Sequence, residues 1–161
     1  MKAIGWIHVL LGLLAIGSGT IVLQGVMKVE LSWNPVARFL RYSLIASVAG
    51  LLPLTPQLSP IQGICMLSVY CAGAVILAWR KFHLAGLWRP VFAFFIVACF
   101  YLNVVSVSFR LCKDSLPFEM ASMESGSPFE VAQFLFASVS AVLGVLAVRK
   151  CHTQPQRTHS V

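Results

Sequence analysis

An all-helical membrane bundle of five transmembrane helices is the fold class that this sequence predicts, and three observations predict it. Hydrophobic residues make up 58% of the 161-residue chain and charged residues only 11%, well below the quarter or so found in soluble domains. The apolar residues fall into five runs near the length that crosses a bilayer, about 20 residues for a hydrocarbon core roughly 30 Å thick. Proline-containing or charged connections separate the runs. The basic residues gather at the ends of these runs, where Lys and Arg set membrane orientation.

The expected spans cover about 3–26, 38–52, 61–79, 89–112 and 129–148, so residues 1–148 read as one transmembrane bundle and 149–161 as a disordered polar tail. The first run follows Met1-Lys2 directly, as in a signal peptide, but it exceeds the usual 7 to 15-residue core and lacks an A-x-A site. A retained helix is the expectation. Within it Gly5, His8, Gly12, Ala15 and Gly19 recur at steps of three and four, a stripe of small residues that lets a neighbouring backbone approach closely.

Residues 27–37 form the first connection, with Lys28, Glu30 and an Asn34-Pro35 pair that favours a turn and a new helix start. Trp33 suits the interface, where amphipathic rings collect. The second span is short and opens with Arg38 and Arg41, whose stems can snorkel to the headgroups. Pro53, Pro56 and Pro60 break the chain before the third span, so spans two and three read as a tight helical hairpin; a re-entrant hairpin is the alternative. Residues 80–88, RKFHLAGLW, have the composition of a short solvated turn.

The fourth span, from Arg89 to Cys112, carries polar groups that lipid disfavours. Asn103, Ser106 and Arg110 follow at i, i+3, i+7, one helical face, which should turn inward. A polar outer loop holding Asp114, Glu119 and Glu124 leads to the fifth span. Five spans place the termini on opposite sides. Lys28, Arg38, Arg41, Arg80, Lys81, Arg89, Arg149, Lys150 and Arg157 then fall on one side, and Lys2, Arg110 and Lys113 on the other. The positive-inside rule puts the C-terminus in the cytoplasm and the N-terminus outside.

Helical rise gives the depth of the polar residues below the outer ends of their spans: roughly 6 Å for His8 and Gln133, 7 Å for Ser106 and 12 Å for Asn103. Unpaired polar groups in hydrocarbon are costly, so buried ones find each other. His8, Asn103, Ser106, Arg110 and Gln133, with Tyr101 nearby, are therefore expected to form a polar cluster in the outer half. The cluster serves either as interhelical hydrogen-bond glue or as a pocket for a small ligand or ion, where His8 would be the titratable group.

Several functions are disfavoured. The basic charge sits at span ends and not on a soluble face, which argues against nucleic acid as a partner. The five cysteines form no C-x-x-C pair and no metal spacing, so neither a disulfide framework nor a metal site is expected. Bis-histidine haem needs two imidazoles at matched depth, and His83, His152 and His159 lie in loop or tail. Hydrolase, metalloprotease and phosphate-loop motifs are missing, and no carboxylate lies deep in a span, as proton-coupled transport would need. The function read from the residues is a non-enzymatic membrane protein without cofactor. Its partners are the bilayer and either a second copy or another membrane protein. The alternative is an accessory subunit of a membrane redox enzyme, or a small oligomeric transporter or channel.

Tyr101-Leu102-Asn103, with Pro128-Phe129 and Gln133 beyond the loop, resembles a loosely defined group of bacterial multi-pass membrane proteins. In that group a Y-L-N segment in the penultimate helix precedes a P-F-x-x-x-Q start to the last. The likeness covers about the last 60 residues and, through His8 and its glycines, the first helix. Where the group carries Gln seven residues after the Asn, this chain has Arg110. The group has no assigned activity, so the resemblance implies a helical fold and a place in the inner membrane.

Overall fold

In a computed structural model the chain forms five α-helices: α1 (Lys2–Lys28), α2 (Trp33–Leu51), α3 (Pro60–Arg80), α4 (Trp88–Ser115) and α5 (Pro128–Thr153). The structure describes residues 2–28, 30–52, 60–115 and 128–153, with side chains over 6–28, 30–52, 61–111 and 134–149. No strand occurs among the described residues. Proline sets much of this punctuation. Pro35, Pro60, Pro90 and Pro128 all lie in the first turn of a helix, where a missing N–H costs nothing. At its other end α2 stops at Leu51, and Leu52 still holds helical angles (φ −57, ψ −33) with its N–H on the Val48 carbonyl; the next residue in the sequence is Pro53, and proline has no N–H with which to continue the ladder.

Two boundaries depart from expectation. The second helix begins at Trp33, five residues before the predicted Arg38, since Ser32 is extended (φ −118, ψ 141) and Pro35 is compatible with the first turn. The last helix runs through Thr153, so the tail expected to be disordered from residue 149 starts as helix. Nothing in VRKCHT breaks a helix. Residues 154–161 lie outside the described residues, as do residues 116–127, where the polar outer loop is expected.

Three stretches, Trp6–Lys28, Ile61–Arg80 and Trp88–Leu111, are long and apolar enough to cross a membrane, and Phe134–Arg149 is a shorter apolar one. Neighbouring helices run antiparallel. His8 meets Ala46 on α2 and Ser106 on α4, Ser43 meets Ser68 on α3, and Trp79 of α3 meets Phe92 of α4. Thus α1 to α4 form a four-helix bundle, and α5 lies on α4, where Gly144 faces Val97.

The two halves of this bundle differ. Toward the end shared by the α2 and α4 N-termini the core is large and apolar, with Val26, Val36, Phe39, Val75, Phe92 and Ile96 fully buried. From mid-bundle toward the opposite end the buried polar residues collect, His8, Ser43, Ser47, Gln62, Ser68, Asn103 and Ser106, among apolar neighbours such as Val9, Leu102, Val105 and Val107. The α3–α4 turn closes the apolar end. His83, Leu84 and Gly86 adopt positive φ of 47, 55 and 53, the Leu84 N–H caps the Ala78 carbonyl at 3.1 Å, and Phe82 stacks on Trp88 at 3.6 Å.

Candidate functional site

His8 lies on the buried stripe of α1, together with Gly12, Ala15 and Gly19. Its Nδ1 is 2.8 Å from the Ala46 carbonyl oxygen on α2, and its Nε2 is 2.9 Å from the Ser106 hydroxyl on α4. A carbonyl oxygen only accepts, so Nδ1–H donates to it. In the neutral ring Nε2 is then an acceptor, and the Ser106 hydroxyl donates to it. One imidazole therefore joins three helices. The fourth arrives through Cys65 of α3, whose thiol faces the Ser106 hydroxyl. Gly50 leaves the room for this meeting, since a Cβ built there would lie 2.5 Å from Cys65 Sγ and 3.2 Å from His8 Cε1.

Asn103, one turn of α4 toward the bundle centre, belongs to a second set of bonds. Its amide Nδ2 donates to the Ser43 hydroxyl of α2 at 2.8 Å and to the Cys99 carbonyl of its own helix at 2.7 Å. Ser43 in turn lies 3.2 Å from Cys99 Sγ and 3.4 Å from the Ser68 hydroxyl of α3. The set thus ties α2, α3 and α4 at mid-bundle. With the His8 set it forms two adjacent layers of polar contact within the bundle.

The six residues expected to cluster divide accordingly. His8 and Ser106 meet directly, and Asn103 is buried a layer below them with Ser43 and Cys99 as partners. Arg110 is half-buried one turn beyond Ser106. Tyr101 is partly exposed and bonds to neither layer among the described residues. Gln133 lies on α5, and its side chain is outside the described residues. The expected cluster omitted Ser43, Ser68, Cys65 and Cys99, which take part in most of the observed contacts. A signal for α2 was present: Ser43, Ala46, Ser47 and Gly50 follow at steps of three, four and seven, a second small-residue stripe like that of α1.

The arrangement has the geometry of a hydroxyl, a base and a group that orients the base. Both Ser106 and His8 are nearly sealed, at 6% and 4% exposure. Neither side chain offers an open face to an acyl substrate. No group of three or more His, Cys, Asp or Glu suited to a metal ion occurs among the described residues. What the geometry does well is hydrogen bonding between helices, each contact worth about 0.6 to 2 kcal/mol in a membrane. No family model, curated protein or solved structure matches this chain.

Proposed function

We propose that this chain is a non-enzymatic multi-pass protein of a bacterial inner membrane, with its N-terminus outside and its C-terminus in the cytoplasm, whose two polar layers hold four helices in one register. The observation that carries the reading is the double engagement of His8, with both ring nitrogens bonded to different helices inside a sealed core. A ligand site keeps polar groups in reserve for its guest; here the partners are protein groups. The orientation rests on the gathering of basic residues at the end where α2 and α4 begin. Lipid is the first partner on this reading, and a second copy or another membrane chain suits the exposed apolar flanks of α1, α3 and α5.

Two measurements test the proposal. An impermeant thiol reagent should label Cys112 and Cys151 from opposite sides of sealed vesicles; labelling of both from one side overturns the orientation. The purified protein should show no absorption above the aromatic band; a Soret or flavin spectrum overturns the cofactor-free reading.

A further inference from the structure

The exposed flank of α2 changes character along its length. Asn34, Arg38, Arg41, Ile45, Val48 and Leu52 recur at steps of three and four and are all exposed, so one face carries two arginines followed by three aliphatic side chains. The level of the membrane interface at this end is marked by aromatic rings. Trp33 opens α2 and packs against Trp79 with centroids 5.2 Å apart, while Trp88 opens α4. Tryptophan settles at headgroup level. Counting from Trp33, Arg38 lies ~7.5 Å and Arg41 ~12 Å further along the helix, into the bilayer.

A bare guanidinium at that depth is costly. Two features relieve it. Side chains lean toward a helix N-terminus, which for α2 is the headgroup end, so both arginine stems rise toward the interface. At i, i+3 the two residues are also neighbours, with Cβ atoms about 5–6 Å apart, and two like charges so placed favour a shared anion. Lys28, Arg80 and Lys81 are exposed at the same end, Arg80 over the Trp33 ring at 5.3 Å, with Glu30 the one carboxylate there among the described residues.

From this juxtaposition we propose that Arg38 and Arg41 hold the phosphate of an anionic phospholipid, whose acyl chains lie along Ile45, Val48 and Leu52. The planar guanidinium fork matches two phosphate oxygens at once. A zwitterionic headgroup would bring its own ammonium up to the same cations, so a lipid with net negative charge is the class selected. The site rests on the membrane reading of the fold and is independent of the role given to the polar layers.

The test uses the full-length protein in neutral detergent, titrated with phosphatidylglycerol or phosphatidylcholine of the same chain length, with bound lipids counted by native mass spectrometry. The wild type should retain phosphatidylglycerol in preference to phosphatidylcholine. R38Q/R41Q should weaken that retention about thirtyfold, on the scale expected for two basic residues at an anionic surface. R38K/R41K, which keeps the charge and loses the fork, should fall between. Both arginines are outside the core, so the lipid-free unfolding temperature should not change, which separates loss of the site from loss of the fold. Equal retention of the two lipids by the wild type overturns the proposal, and so does undiminished phosphatidylglycerol retention by R38Q/R41Q. If R38Q/R41Q does not fold, the lipid contrast in the wild type and the R38K/R41K series decide.

Discussion

Adding one methyl group at Gly50 tests whether the four helices meet as described. A Cβ at this position would lie 2.5 Å from Cys65 Sγ, 3.2 Å from His8 Cε1 and 3.3 Å from His8 Nδ1. Ordinary contact needs about 3.5–4.0 Å, so the thiol must retreat by about 1 Å. Cys65 is 2% exposed and His8 4%, so neither can retreat into solvent. Pushing the imidazole aside would stretch its 2.8 Å bond to Ala46. Overpacking of this kind costs about 1–3 kcal/mol, offset by the roughly 1 kcal/mol that alanine gains over glycine inside a helix. Gly50→Ala should therefore lose up to about 2 kcal/mol outright and about 1–3 kcal/mol relative to an unhindered Gly→Ala change in a helix, read as a lower unfolding temperature in a mild detergent. Gly73→Ala and Gly63→Ala are internal controls, because nothing lies within 4 Å of a Cβ at either, and both should be neutral or slightly stabilising. Cys65→Ala added to Gly50→Ala removes the nearest obstacle and should recover most of the loss. A Gly50→Ala protein as stable as Gly73→Ala would refute the packing of α2 against α1 and α3 at this level.

Three further outcomes follow from the same contacts. Gly12→Leu or Gly19→Leu should destabilise more than Leu11→Ala does in thermal unfolding, since a Cβ at Gly12 already collides with Val107 and one at Gly19 lies 2.6 Å from Phe100 Cδ2; equal stability of the three variants removes the argument. In a double-mutant cycle, His8→Leu and Ser106→Ala should show a coupling of about 0.6–2 kcal/mol because the two side chains share one bond, and strict additivity would show that the bond is not made. His8→Leu with Asn103→Leu should instead be near-additive, as the two belong to different layers; strong coupling would merge the layers into one.

Much of the fold was legible in the sequence, and the reasons are local. Five apolar runs, each bounded by proline or charge, become five helices because hydrogen bonds within a helix are the simplest way to satisfy a backbone in lipid. The spacing of Gly12, Ala15 and Gly19 around His8 marked the buried face of α1. The site was legible only in part. His8, Asn103 and Ser106 stood out as polar residues in apolar surroundings and are all buried. Ser43, Ser68 and Cys99 did not, because a serine or cysteine in a span is common and takes its meaning from the residue opposite it.

Periodicity and composition determined by themselves which segments are helices, which face of α1 and α4 turns inward, and that basic residues gather at the ends of the apolar runs. These are properties of a single helix and its solvent, set within a few turns of chain. Which polar group meets which was decided by the tertiary structure alone. His8 chooses Ala46 and Ser106 over Asn103, across 38 and 98 residues of chain, because the glycines at 12 and 50 set how closely α1 approaches α4 and α2, and hence the level at which its imidazole arrives. Helix register depends on the fit of two surfaces, and no single stretch of sequence contains both.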